Sequence, residues 1–307
     1  MQRKTTRGNA KVYKKSADNK RKAGSRKIKQ RKSFNKLPFY KRWNTWKLWI
    51  GGLLCSIILL LLFYFFFIDP YSFRWRAMYG DPVYPKGFNV HGIDVSHYQE
   101  GIDWELVRNA SLDTHAIQFA IIKATEGEGL IDEHFKQNFL KAKENDIIRG
   151  AYHFFIPGID AKKQADFFIR QVQLEVGDLP PVLDIEKNGK LSLNELQEEV
   201  KTWLKIIETH YNAKPIIYTG YKFKMKYLNT PYFNEFPYWI AHYYVEELRY
   251  KGDWSFWQHT DRGKVNGING DVDCNVFNGS YNDLIELTID EDSTAYTRNL
   301  TRPERLD

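Results

Sequence analysis

The sequence predicts an α/β fold: a compact, irregular (β/α) barrel preceded by a single transmembrane helix. Three observations carry that expectation. Short apolar runs alternate with amphipathic segments over residues 88–282, and strands alternating with helices of about 10–15 residues build parallel sheets. Acidic, amide and aromatic residues gather at the C-terminal ends of those runs, the face where barrels of this kind carry their sites. Near the N-terminus lies an uncharged apolar stretch with the length of a bilayer span.

Taken in order, residues 1–48 hold 18 Lys/Arg and one acid, Asp18, while the 307-residue chain holds 45 bases and 38 acids. The remainder therefore carries 27 bases against 37 acids, and the net charge of +7 averages a basic tail with an acidic body. The tail mixes Lys and Arg with Ser, Asn, Gln and Gly, a composition expected to be disordered. It is read as a cytoplasmic segment held to anionic lipid by charge, and nucleic acid is not expected as a partner. Residues 49–68 follow as a membrane anchor and include Leu59-Leu-Leu-Leu-Phe-Tyr-Phe-Phe-Phe67. No small-residue cleavage pattern comes after them, and so long a basic region is unlike that of a secretory signal. Leu54 before Cys55 argues against lipidation there. The positive-inside rule keeps the tail in the cytoplasm and exports the body, giving a single-pass membrane protein. Trp43, Trp46 and Trp49 read as interfacial anchors. Cys55 in the span and Cys274 in the body leave no intrachain disulfide.

Residues 69–87 read as a spacer and residues 88–282 as the barrel. Strands are expected at 90–95, 117–124, 148–155, 181–185, 215–219, 238–241 and 254–258, and helices at 104–109, 134–145, 161–174 and 193–211. Ser192 with Glu195 three residues on matches a capping box. About 195 residues are few for eight complete units, which usually need about 250, so the barrel is expected to be TIM-like with some helices missing. Residues 283–307 form a polar tail.

The chemistry is concentrated in Pro181-Val-Leu-Asp-Ile-Glu186. Strand residues i and i+2 share a face, so Asp184 and Glu186 point the same way. Two carboxylates held together push their pKa values apart, leaving one protonated and one ionised. Glycoside hydrolysis needs that division: an acid for the leaving oxygen and a carboxylate for the oxocarbenium-like centre. A D-x-E alone is equally compatible with a salt-bridged strand end. The other strand ends supply Asp94 and Tyr98, Tyr152 and His153, Tyr218, Trp239, Gln258 and Asp273. Singly, His153 reads as a core histidine and Trp239 as barrel filling; together they make a cleft suited to a saccharide, which binds through aromatic faces and planar polar groups. There is no metal-ligand spacing, phosphate-binding glycine loop or G-x-S-x-G, so no metal or other cofactor is expected.

These residues resemble glycoside hydrolase family 25, the Chalaropsis-type lysozymes or N-acetylmuramidases. The marks are Gly92-Ile-Asp94-Val-Ser96, Ile122-Lys123-Ala-Thr125-Glu126-Gly127, Gly150-Ala-Tyr152-His153-Phe154, Asp184-Ile-Glu186, Trp239-Ile-Ala, Phe256-Trp257-Gln258 and Val272-Asp273-Cys-Asn275. The resemblance implies an irregular β/α barrel that cleaves the β-1,4 bond between N-acetylmuramic acid and N-acetylglucosamine of peptidoglycan. It further implies Glu186 as general acid/base and Asp184 as nucleophile or as support for the substrate's acetamido group. Asp94 joins them as a catalytic carboxylate, and Asp273 lines the same site with Tyr98, Tyr152, His153, Tyr218, Trp239 and Gln258 as substrate-binding positions. The membrane anchor fits remodelling of the cell's own wall. A non-catalytic wall-binding module on a tether and a chitinase-like hexosaminidase are the competing expectations.

Overall fold

The computed structural model describes residues 39–64, 66 and 84–294. The basic tail before residue 39, residues 69–83 of the expected spacer and residues 295–307 lie outside them. The chain divides into two compact units, residues 1–63 and 64–307. In the first, helix α1 runs Phe39–Phe63, 25 residues, about 37 Å at the helical rise. Its described residues begin at Phe39, ten residues before the expected span. Its 19 residues Thr45–Phe63 are long and apolar enough to cross a membrane, and their side chains are exposed throughout.

The second unit is built on a sheet that closes on itself. Its strands are β1 (Val90–Val95), β2 (Ser111–Leu112), β3 (His115–Glu126), β4 (Leu130–Ile131), β5 (Ile148–Phe154), β6 (Val182–Asp184), β7 (Ile216–Gly220), β8 (Tyr238–Ala241), β9 (Phe256–Gly263) and β10 (Val272–Phe277). The order β1-β10-β9-β8-β7-β6-β5-β3 returns to β1 through a β1–β3 pairing, which makes a closed barrel. Neighbours are parallel from β1 through β3, β5, β6, β7 and β8 to β9. Strand β10 runs antiparallel between β9 and β1, so the barrel is mixed. The expected strands all form, several with shifted ends. Strand β10 itself was not expected, nor were the short β2 and β4 that pair with β3. Its sequence Val-Asp-Cys-Asn-Val-Phe alternates, but its polar positions read as a site rather than as a strand.

Helices α2 (Trp104–Arg108), α3 (Phe135–Glu144), α4 (Ala161–Gln171) and α5 (Leu193–Tyr211) lie between successive strands where the amphipathic pattern puts them. Ser192 caps α5 through the Glu195 N–H while the Glu195 carboxylate accepts from the Ser192 N–H at 2.9 Å. Two further short helices, α6 (Tyr221–Tyr227) and α7 (Tyr281–Glu286), were not expected. Between β8 and β9 no helix occurs among the described residues.

Alternation along the strands divides the core in two. Val90, Phe119, Ile121, Val182, Ile216, Phe256 and Phe277 fill the barrel lumen. Ile93, Ala120, Ile122, Ala151, Leu183, Ile217, Ile240 and Val276 face the helices, among them the α5 residues Val200, Trp203 and Ile207. The lumen is tight at Gly92, where a Cβ would stand 2.5 Å from the Phe119 ring, so only glycine lets β1 close against β3. On the outer face Arg149 of β5 grips Asp178 with two hydrogen bonds, 2.7 and 3.0 Å, and donates to the Phe139 carbonyl of α3 at 2.9 Å.

Candidate active site

Every second residue of a strand points into the lumen. At the C-terminal ends of the parallel strands those positions turn from apolar to polar. Pairing registers set them side by side: Asp184 opposite Tyr218, and Tyr218 opposite Trp239. Gln258 stands opposite Asn275, and Asp94 opposite Asp273. The result is a continuous polar ring at one end of an apolar barrel.

Asp94 is the carboxyl on which two of its amides converge. The buried Oδ2 accepts from the Gln258 amide nitrogen at 2.7 Å and from the Asn275 amide nitrogen at 2.8 Å. Each amide is oriented from behind. The Trp239 indole N–H donates to Asn275 Oδ1 at 2.8 Å, and the hydroxyls of Tyr218 (2.6 Å) and Tyr243 donate to Gln258 Oε1. Burial raises the Asp94 pKa, the two amide bonds pull it back down, and the charge of Glu186 adds to the rise. Asp273, its register partner, is raised by burial and by the charges of Asp94, Asp261 and Glu186.

Asp184 is also buried, and its Oδ1 has no hydrogen-bond partner. Burial first, then the charges of Glu186 and Asp94, hold its carboxyl well above the usual range against the opposing charge of Lys123. Glu186, two residues past the strand's hydrogen-bonded end, is exposed. Its pKa is raised by partial burial, with Lys187 opposing. Lys187 lies over the Phe154 ring at 5.7 Å, and Lys123 approaches the same ring at 5.2 Å while bonding Glu126 at 2.6 Å. The loop then turns at Gly189, φ +57°, where a Cβ would meet Pro157 at 2.7 Å. The four carboxyls thus lie close enough for their charges to act on one another, three of them turned into the barrel and Glu186 exposed, and ionisation of all four at once is disfavoured. Tyr152 projects among them, its hydroxyl pushed up by burial and by Asp184, Asp94 and Asp273.

The fold therefore brings together Asp94, Asp184, Glu186, Asp273, Tyr152, Tyr218, Trp239 and Gln258. It corrects the expectation for His153, which points outward. That ring is fully buried and bonded to Thr125 at 2.7 Å and Gln164 at 3.2 Å, and it stacks on Trp203 of α5. Burial lowers its pKa to about 4. Trp239 and Tyr218 are buried supports of the amides rather than open platforms. Tyr98 stands apart from the bonded ring, 79% exposed on the turn after β1, with its ring 4.1 Å from that of His97.

Asn275, Tyr243 and Lys123 belong to the site although sequence reasoning assigned them no role. Asn275 carried a usable signal, since Asp273-x-Asn275 has the same i, i+2 spacing as Asp184-x-Glu186. Tyr243 lies in the irregular segment after β8, where no period could place it. Among the described residues no three or more His, Cys, Asp or Glu side chains are grouped to hold a metal ion.

Comparison with known proteins matches residues 93–268 to the family model described as Glycosyl hydrolases family 25. The uncharacterized protein YegX of Escherichia coli (strain K12) is 49% identical over 201 residues, 65% of this chain and 74% of that protein. Lysozyme M1 of Streptomyces globisporus is 36% identical over 217 residues, 64% of this chain and 71% of that protein. Among solved structures, a bacterial lysozyme from Streptomyces coelicolor superposes with a TM-score of 0.60 at 34% identity, covering 65% of this chain and 97% of that one.

Proposed function

The chain belongs to glycosyl hydrolases family 25, and from that premise we propose that it is a muramidase working through the carboxyl ring at the barrel mouth. It is a glycoside hydrolase of the lysozyme type. Its substrate is peptidoglycan, and the bond cleaved is the β-1,4 link between N-acetylmuramic acid and N-acetylglucosamine. The barrel is read as an irregular member of the TIM-like (β/α) class, on the strength of its parallel strands with helices between them.

The observation that carries the site is the unlike treatment of its carboxyls. Glu186 is exposed and its pKa is raised by partial burial, which suits a general acid that gives its proton to the glycosidic oxygen and then, as carboxylate, takes one from water. Asp184 is buried, its carboxyl pKa is raised by that burial, and its Oδ1 is left unpartnered. A raised carboxyl pKa disfavours the free carboxylate that attack needs, and an unpartnered buried acceptor suits an acetamido N–H. Of its two candidate roles, support of the acetamido group is therefore the one favoured, with the acetamido oxygen closing on the anomeric carbon. Asp94 supplies fixed negative charge opposite the developing cation. Asp273, with Tyr152, offers protons to sugar hydroxyls, and Tyr98 offers an exposed ring face for a neighbouring sugar. Tyr218, Trp239 and Gln258 act through Asp94.

Helix α1 is read as a membrane anchor with a cytoplasmic N-terminus, residues 88–282 as the exported catalytic domain, and the basic tail as a lipid-binding segment. Support comes from the apolar span and from the 18 bases of residues 1–48. The test is digestion of purified peptidoglycan by the full chain in detergent. New muramic acid reducing ends establish the activity. Glucosamine ends would instead mark a different hexosaminidase, and wall binding without products a non-catalytic module.

A further inference from the structure

Asn275 is held in one orientation by a group that cannot act in any other way. An indole N–H is only a donor, so the 2.8 Å bond from Trp239 Nε1 requires the Asn275 carbonyl oxygen to face the indole. The amide NH₂ must then face the other way, where it meets Asp94 Oδ2 at 2.8 Å. Gln258 delivers a second N–H to the same oxygen at 2.7 Å, with its own carbonyl taken up by Tyr218 and Tyr243. An oxygen that accepts two amide protons is not the one carrying a carboxyl hydrogen, and such bonds favour the charged form. Asp184, in the same lumen, has no such donor on Oδ1. The arrangement thus singles out Asp94 among the four carboxyls.

We propose that Asn275 is a positioning residue: locked by the Trp239 indole, its amide fixes Asp94 as the ionised carboxylate of the cleft. The charge placed there sets the state of the groups that face it. These are Asp273 across the β1–β10 register, Asp184 and Glu186 from β6 and its loop, Tyr152 of β5, Tyr218 of β7 and Tyr243 after β8. Lys123 of β3 opposes the charge at Asp184. The lumen filling that Asn275 also provides is secondary. The proposal deepens, and rests on, the reading of this ring as the hydrolytic site.

The test is carboxyl ¹³C NMR titration of the full chain in detergent, labelled at Asp, with the Asp94 signal assigned by its loss in Asp94→Asn. Asn275→Leu keeps the volume and removes the donor. The Asp94 midpoint should rise by about one pH unit or more, since one unit corresponds to the worth of a charged hydrogen bond. Asp273, relieved of that charge, should move down. The acid limb of kcat/KM should rise with Asp94, with kcat falling more than KM changes. Trp239→Phe leaves Asn275 present but free to turn, so the same shift should appear in smaller measure, which keeps a test available should the first variant not fold. Unmoved midpoints and an unmoved acid limb in both variants, with activity following only a lower Tm, would overturn the assignment. A wild-type chain that releases no product would defeat the hydrolase reading instead, and the NMR shifts would still decide the role of Asn275.

Discussion

Asp94 and Asp273 are Cα partners across β1 and β10, where the reversed strand of the barrel meets the first. Residues directly opposite in an antiparallel pair lie about 4.5–5.5 Å apart at Cα, and here both side chains turn into the same apolar-walled space. Two carboxyls so placed disfavour each other's ionisation. Two donated amide bonds favour the charged form of Asp94, while burial and the charge of Asp94 raise the pKa of Asp273.

Glu186 should be the residue whose loss removes turnover and little else. Its side chain is exposed, so Glu186→Gln is expected to fold normally and to lose about 10²–10⁴-fold in kcat, the usual worth of a general acid. Release of reducing ends, beside a melting curve, measures both. A variant within about threefold of wild type would remove Glu186 from the chemistry.

Asp184→Asn distinguishes the two roles left to that residue. An amide oxygen still accepts from an acetamido N–H, so support of the acetamido group predicts a partial loss, with Asp184→Ala clearly worse. Direct attack predicts that both are equally dead, because neither side chain can form the covalent intermediate.

The buried acids give stability a pH dependence of definite sign. For Asp184 and Asp273 the folded pKa lies above the unfolded one. The folded state then binds more protons between the two values, and stability falls as pH rises through that window. Asp273→Asn should flatten the fall and raise Tm at pH 8 by a few degrees, at a cost in activity. His153 contributes the opposite limb: its pKa, lowered to about 4, takes stability away as pH drops from 6.5 toward that value. His153→Gln should reduce that acid-side loss while leaving KM alone, because the ring lies outside the cleft.

Lys187 tempers Glu186. Its ammonium rests over Phe154, beside the acid, and opposes the rise in its pKa. Lys187→Met should let the Glu186 pKa rise further and carry the alkaline limb of kcat/KM upward, whereas Lys187→Arg should hold the wild-type profile. An alkaline limb unchanged in the Met variant would show that the cation is screened from the acid.

Arg149 tests the converse, a buried charge remote from the chemistry. Its bidentate bond to Asp178 is enclosed on the outer face of β5. Arg149→Met strands the Asp178 carboxylate and is expected to cost about 3–5 kcal/mol of stability. The kcat of the fraction that remains folded should be unchanged.

What the sequence determined by itself is what short-range physics dictates. Period-two and period-3.6 patterns marked seven of the barrel strands and four of the helices between them, because each element must bury one face. The Ser192–Glu195 cap was readable because its partners are three residues apart. The i, i+2 spacing put Asp184 and Glu186 on one side for the same local reason. Tertiary structure alone decided the closure of the sheet, the reversal of β10 and the direction each strand-end residue faces. Asp94 and Asn275 are 181 residues apart and Asp94 and Gln258 are 164 apart, so nothing local could announce that their amides meet one carboxylate oxygen. His153 and Tyr152 look alike in sequence, and only the register of β5 against its neighbours sends one ring to the helices and the other to the cleft. The protonation states follow from the same cause: a carboxyl's charge depends on what surrounds it in space, and that is settled when the barrel closes.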